Sequence, residues 1–445
     1  MKAGSKESSA PNQFESTKAR TTPAPNRPSN VDARKVPGTK FRLGLFGTFF
    51  PASEMVGTFT TGLAVALSES EQLGSVVVFC QFGARLPTTG RWSRVRLEPC
   101  WAHDDPISLL RALFTLRRGS DSVDGFLFNT YVTAFGRSAA ANVMGLLIPT
   151  SLALMTRKPV VTYMHNLLET QDAVQLGYRP SFWQRWGVRL LETLLLRTTV
   201  VVVLLESQQA TVSRIFGVLP RKILIPFTMP FGLIASMQGP PADSSILLDS
   251  PARILLLGNW GPQKDLPGVL RALMVARGQG GRFTVSITGA INAHFPEYRT
   301  VIERIKSTMD PTWFHFLGGV PESELLNVVL NHDLVILPYN ATGGYSGAMS
   351  VSAYCEVGII AYDLPQLRES ARELGIDPVF VAKDDTAALT EEILLFCSDV
   401  RARRERRRSV PLPEYDARVR EGASKLIETL ASLRGPTAHV VRHEK

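Results

Sequence analysis

The chain has 445 residues, 44% of them hydrophobic and 20% charged, with a formal net charge of +9. That length holds two or three domains with cores of their own, and the composition excludes a fibrous or wholly disordered protein. Residues 1–40 carry a net charge of +5 and residues 401–408 a further +5, which leaves the remainder at −1. With its basic excess in two short segments, the chain is not expected to present a nucleic-acid-binding domain face, and no nucleic-acid partner is expected.

Residues 1–37 are rich in Ser, Thr and Pro and lack apolar periodicity, so they read as a disordered tail. From Phe41 onward, short apolar β-rich runs alternate with amphipathic stretches. Phe41–Phe49, Ser75–Phe82, Gly125–Tyr131, Pro159–His165 and Thr199–Leu205 read as buried strands, with helices at Thr58–Ser70, Ala139–Thr156 and Phe182–Arg197. Residues 232–252, with Gly232, Gly239, Pro240 and Pro241, read as a linker. A second series follows. Its strands are Arg253–Trp260, Arg282–Gly289, Trp313–Leu317, Leu334–Tyr339, Val357–Tyr362 and Pro378–Val381. Its helices are Asp265–Arg277, Pro296–Ser307, Glu322–Asn331, Ser346–Cys355 and Leu364–Leu374. Arg401–Arg408 reads as a solvated charge run and Ala417–Leu433 as a terminal amphipathic helix. The fold class is therefore α/β, with two Rossmann-like domains in tandem and a cleft between the carboxyl ends of their parallel strands.

The four cysteines, Cys80, Cys100, Cys355 and Cys397, are far apart and form no CxxC or Cys/His cluster. That argues against a disulfide scaffold or structural zinc and fits a reducing compartment. No signal-type apolar segment is visible, and no run reaches the ~20 apolar residues that span a bilayer. The expected location is cytoplasmic, with a peripheral position on the cytoplasmic face of a membrane as an option.

Three segments carry candidate chemistry. In Leu334–Pro365 a strand runs into Asn340-Ala-Thr-Gly-Gly-Tyr345 and then into a helix opened by Ser346-Gly-Ala. Unsatisfied amides at such a helix start suit a diphosphate, or Ser346 is simply an N-cap and the glycines make the turn. In Leu257–Lys264 a strand and turn bring Lys264 to a helix start, either as a phosphate contact or as an ordinary surface lysine. Pro159–Asn166 places His165 at the carboxyl end of a strand, either as a substrate contact or satisfied by its neighbours.

Taken together, these pieces resemble the GT-B glycosyltransferases, specifically the retaining family 4, over roughly residues 41–435. Phe41–Leu63, with Pro51 and Gly57-Thr58, is similar to the family's first strand and Gly-rich loop. Thr162–Asn166 resembles its strand ending in His, and Val200–Ser207 its strand ending in Ser. Ile254–Lys264 resembles its first C-domain strand and Arg-x4-Lys motif. Phe314–Leu326 and Tyr345–Ala361 resemble the segments that follow. Asn259 stands where the family has its Arg, and Gly344 and Ser352 stand at about the positions of its two Glu.

The resemblance implies a metal-independent, retaining hexosyltransferase that uses a nucleoside diphosphate sugar as substrate and no cofactor. No Asp-x-Asp occurs, and no metal ligands are expected. The implied organisation is a basic tail (1–40), an acceptor-side domain (41–231), a linker (232–252), a nucleotide-sugar domain (253–400) and an Arg-rich connector with a terminal helix (401–445). The implied donor contacts are Gly57, Thr58, Asn259, Lys264, Gly344, Tyr345, Ser346, Gly347, Ala348 and Ser352, with Ser352 at the ribose. His165 is the implied contact to the sugar. The acceptor would be a hydroxyl, with lipid-linked acceptors and growing glycans both open. Arg179–Arg197 bears on that choice, since its aromatics and arginines suit either a helix lying on anionic lipid or an amphipathic helix packed on the sheet with Arg on its wet face. The rival reading is a GT-B-fold binding or scaffold subunit at a membrane that has lost turnover. A sugar-nucleotide epimerase is a weaker rival. A nicotinamide dehydrogenase is disfavoured because Gly44–Phe50 lacks the GxGxxG spacing.

Overall fold

The computed structural model describes residues 40–51, 55–87, 92–166, 181–226, 248–292, 295–320, 322–342, 344–407 and 413–433. The expected tail, apart from Lys40, and residues 232–247 of the expected linker lie outside them.

Apolar runs such as Val76–Cys80 and Gly125–Phe128 are buried along their whole length, as strands covered on both faces must be. In the first half β1 (Phe41–Phe46), β2 (Leu73–Gln81), β3 (Val95–Trp101), β4 (Gly125–Thr130), β5 (Val160–Met164), β6 (Val200–Val203) and β7 (Arg221–Lys222) form a sheet in the order β3-β2-β1-β4-β5-β6-β7. All its pairings are parallel. The helices are α1 (Met55–Glu69), α2 (Pro106–Gly119), α3 (Ala139–Met155), α4 (Phe182–Thr198) and α5 (Glu206–Phe216). Phe59, Leu63 and Leu67 of α1 pack on Leu43 and Leu45. On the opposite face Leu109 and Leu116 of α2 and Ile148 and Leu152 of α3 cover Phe79, Phe126 and Phe128. Leu195 and Leu196 of α4 extend that layer over Met164 and Val203. Helix starts follow local chemistry: Asp105 accepts from the Ile107 and Ser108 amides ahead of α2, and Ser181 and Gln184 make a reciprocal capping box ahead of α4.

The second half repeats the plan. β8 (Ala252–Leu257), α6 (Leu266–Gly278), β9 (Phe283–Thr288), α7 (Tyr298–Thr308), β10 (Phe314–Gly318), α8 (Glu322–Leu330), β11 (Leu334–Leu337), α9 (Gly347–Tyr354), β12 (Gly358–Tyr362), α10 (Pro365–Leu374) and β13 (Val379–Val381) follow in chain order. The sheet order is β10-β9-β8-β11-β12-β13, again parallel throughout. Three helices complete the chain: α11 (Thr386–Ser398), α12 (Val400–Arg407) and α13 (Pro413–Ser432). α13 returns to the first sheet's side, where Val419, Ala423, Leu426 and Leu430 join the core that holds α1.

Besides α2, α5, α11 and β7, which the sequence reading did not name, three features differ from it. β3 was not anticipated: it is an edge strand whose polar residues and Pro99 hide its buried ends. The first strand stops at Phe46 rather than Phe49, and α1 starts at Met55 rather than Thr58. The arginine run is solvated only in part: Arg401 and Arg406 are exposed, but the run is a helix with one buried face. It forms α12, in which Arg404 is 5% exposed and binds both oxygens of the buried Asp333 at 2.9 and 2.6 Å. Arg407 donates to the carbonyls of His332 and Leu330.

Polar contacts join the two halves. The buried Glu369 of α10 accepts from the Glu206 and Ser207 amides at the start of α5, compensating a helix end that lacks its own side-chain cap. Lys222 bridges Glu206 at 2.9 Å and Glu373 at 2.8 Å. Arg221 donates to Thr429 of α13. These contacts hold the carboxyl ends of the two sheets towards each other.

Candidate active site

The site is built from loops at the carboxyl ends of both sheets. On the second sheet β8 runs into Gly258, whose φ of 152° leaves room for the side chain of Lys264 to fold back over the strand end. A Cβ at Gly258 would lie 1.5 Å from Lys264 Nζ, so glycine is required by space as well as by backbone angle. Lys264 is 5% exposed; its ammonium donates to Leu257 O at 3.0 Å and lies 5.3 Å from the Trp260 ring and 4.7 Å from the Tyr339 ring. Among the described residues it has no carboxylate partner. A buried ammonium held by one carbonyl and two aromatic faces is a cation whose charge no carboxylate offsets among the described residues.

Tyr339 links this lysine to the next element. Its hydroxyl lies 3.3 Å from Ser346 Oγ, so one ring touches Lys264 and the start of α9 together. Ser346 is an N-cap, accepting from the Met349 amide at 3.2 Å. Capping by Ser346 does not use up the helix start, because the Gly347 and Ala348 amides have no partners inside the helix. Tyr345 bonds Ser350 Oγ through its hydroxyl at 2.7 Å. Tyr339 was not among the expected contacts. The signal for Tyr339 was its place directly after the apolar strand Leu334–Leu337, one proline on.

On the first sheet His165 follows β5. Its Nε2 lies 2.8 Å from Asn129 Oδ1, and Asn129 Nδ2 donates to Thr60 Oγ1 at 2.8 Å. With the amide oriented that way, His165 Nε2–H donates and Nδ1 is the ring's acceptor. The ring stands edge-on to Phe59 at 4.6 Å. Burial pushes its pKa down to about 4, so the imidazole is neutral at pH 7 and offers a polar contact, not a charged one. Gly344 meets this group across the cleft: a Cβ on it would lie 2.9 Å from Gln208 Nε2 and 3.2 Å from His165 O. Gln208 Nε2 itself donates to His165 O at 3.0 Å.

The other expected residues fall as follows. Gly57 and Thr58 lie within the first turn of α1, not in a loop before it. Thr58 Oγ1 is buried with no hydrogen-bond partner among the described residues. Asn259 is exposed, and its carbonyl accepts from Gln263 Nε2 at 3.0 Å. Ser352 must be corrected: it is 0% exposed and its hydroxyl donates to Ala348 O at 2.8 Å, so the packed interior of α9 denies it a ribose contact. The structure thus groups Lys264, Tyr345, Ser346, Gly347 and Ala348 around Tyr339, brings Gly344 to His165, and leaves Ser352 out. Two cavities, about 830 Å³ between α6 and α11 and about 660 Å³ beside α12, contain none of these residues.

No family model and no curated protein matches the sequence. Solved structures do match in fold. Anabaena HepE in complex with UDP superposes with a TM-score of 0.59 at 14% identity, over 88% of this chain and 100% of that one. Sucrose-phosphate synthase from Thermosynechococcus elongatus gives 0.58 at 15% identity, over 88% and 97%. The trehalose-6-phosphate synthase OtsA gives 0.58 at 11% identity, over 88% and 99%. With two parallel, helix-covered sheets facing across a cleft, this chain has the GT-B fold.

Proposed function

We propose that the protein is a glycosyltransferase that moves a hexose-type sugar from a nucleoside diphosphate sugar to a hydroxyl acceptor, in the manner of retaining family 4. The observation that carries this reading is the buried Lys264 ammonium, without a carboxylate partner among the described residues, joined through Tyr339 to the helix start at Ser346. Lys264 and the Gly347 and Ala348 amides would hold the diphosphate and stabilise it as it leaves. Gly344 and the neutral His165 would flank the sugar, with His165 Nδ1 accepting from a sugar hydroxyl. The acceptor would enter over the first sheet, and the second sheet would carry the donor. The structural similarity to HepE, solved in complex with UDP and with UDP-glucose, supports a uridine nucleotide as the first donor to try.

A second reading is a scaffold subunit of the same fold without turnover. It is favoured by the burial of Ser352 and the absence of a side chain at Gly344. Thermal shift with UDP-, GDP-, ADP- and TDP-sugars, run on the wild type and on Lys264→Ala, separates the two. The transferase reading predicts stabilisation by one nucleotide class, about 2.7 kcal/mol at 100 times its Kd, and its loss in the variant. A flat response to every donor, with Lys264→Ala behaving as wild type, gives the scaffold reading.

A further inference from the structure

α3 lies between α2 and α4, and the three helices cover most of one face of the first sheet, with Val212 of α5 joining them over β6. Their inner sides fill the core, and a helix in that position ordinarily turns a polar side outward. Here the outer sides are apolar. α2 exposes Ile107, Leu110 and Phe114 at helical spacing. α3 exposes Val143 and Leu154. α4 exposes Phe182 at 71%, Trp183 at 76% and Trp186 at 57%, with Leu190 and Leu194 beyond them. The packed alternative for α4 is met only by its last turns, where Leu195 and Leu196 are buried.

Within the three helices the exposed charges are all basic; the exposed acids Asp104 and Asp105 stand just before α2 and Asp121 just after it. α2 carries Arg111, Arg117 and Arg118 and no acid. Arg157 and Lys158 follow α3, which has no charged residue. α4 carries Arg185, Arg189 and Arg197, and its one acid, Glu192, is 1% exposed and faces inward. None of these cations is in an ion pair among the described residues. Aromatic and aliphatic side chains interleaved with arginines on helices lying side by side match a bilayer interface with anionic headgroups: rings at headgroup depth, guanidinium groups on lipid phosphates. A water-facing surface has no use for the first set, and an apolar protein groove has none for the second.

We propose that the outer face of α2, α3 and α4 docks on an anionic lipid bilayer. Topology also fixes the orientation of the cleft. A helix that follows a parallel strand starts at that strand's carboxyl end, so the aromatic first turn of α4 stands on the same side of the sheet as His165. Docking through Phe182, Trp183 and Trp186 brings the mouth of the cleft to the membrane surface, where a lipid-linked hydroxyl can enter. The docking itself does not depend on the transferase reading; the route for the acceptor does.

Co-sedimentation of the full chain with phosphatidylcholine vesicles, with and without phosphatidylglycerol, tests it. Pelleting is expected only with the anionic vesicles and falls as salt is raised. Arg185→Gln/Arg189→Gln lowers partitioning roughly 25-fold. Trp183→Ser/Trp186→Ser and, separately, Ile107→Ser/Phe114→Ser each lower it at least about tenfold. These residues are exposed, so the melting temperature of each variant stays at the wild-type value. No pelleting of the wild type overturns the proposal, as does pelleting that all three variants retain, which would place binding elsewhere in the chain. An α2 variant that binds like wild type overturns the three-helix face. A dimer seen by light scattering and abolished by the same variants, without vesicle binding, assigns the face to a second copy instead.

Discussion

Replacing Arg404 with Met removes a guanidinium and keeps its apolar stem. Besides the two bonds to Asp333, the guanidinium donates to Ser250 O, Ser250 Oγ, Leu248 O and Pro251 O at 2.9–3.2 Å, so it ties α12 to the chain entering β8 and to the residue before β11. Burial alone would raise the Asp333 carboxyl, but the hydrogen bonds from Arg404 and then from the Arg253 amide outweigh it and hold the carboxyl below the ordinary range. In the variant Asp333 keeps only the Arg253 amide at 2.8 Å and the Arg253 guanidinium at 3.7 Å. Breaking one side of a buried pair costs about 3–5 kcal/mol. At ~2.1 cal/mol/K per residue over the roughly 400-residue body, that is a fall of about 4–6 °C in Tm. Arg404→Met/Asp333→Asn should recover much of the loss, because no lone charge then stays buried. The depressed carboxyl contributes stability above its unfolded pKa and loses it as the pH falls below about 4, so the gap between variant and wild type narrows on acidification. Denaturant titration at pH 7 and at about pH 3 measures both effects. A pH-independent cost under about 1 kcal/mol would refute the reasoning and return the arginine run to solvent.

Other substitutions probe the site and its frame. Gly258→Ala puts a methyl where the Lys264 ammonium lies and should abolish nucleotide stabilisation in a thermal-shift assay. Gly145→Ala puts a Cβ 2.1 Å from the ring of the buried Phe135, and should cost about 1–3 kcal/mol by denaturant titration despite the better helix propensity. His165 has a folded pKa of about 4, below its unfolded value near 6.5. Its contribution is therefore complete above about 6.5 and declines towards pH 4 by up to about 3 kcal/mol. His165→Gln should flatten that acid limb in a pH series of melting temperatures.

The alternation of fully apolar runs with helical stretches carried the architecture in the sequence, because a parallel strand buried on both faces has no polar phase to blur it. β3 escaped because an edge strand needs burial only at its ends. Arg404 escaped for a different reason: charge density in a run such as Arg401–Arg408 is local, whereas the partner that buries one of its arginines, Asp333, is 71 positions away. At the site, Lys264 and the helix start at Ser346 were visible as single motifs; Tyr339 was visible only as the residue ending an apolar strand, and that it joins the two appears only where the strand ends converge. Ser352 shows the converse. Spacing put it near the site, and one turn of helix, with its hydroxyl bonded to Ala348 O, turned it into the core. On α4 the sequence carried both the aromatics and the arginines, while only the packing of α3 beside it decided which side of the helix is covered.

The central claim is that Lys264 and the start of α9 hold a nucleoside diphosphate. A crystal structure with the nucleoside diphosphate that gives the largest melting shift tests it most directly. The account predicts the diphosphate within hydrogen-bond distance of Lys264 Nζ and of the Gly347 and Ala348 amides, with the distal phosphate facing His165. A diphosphate seated away from Lys264, or a cleft that stays empty at saturating nucleotide, would contradict it.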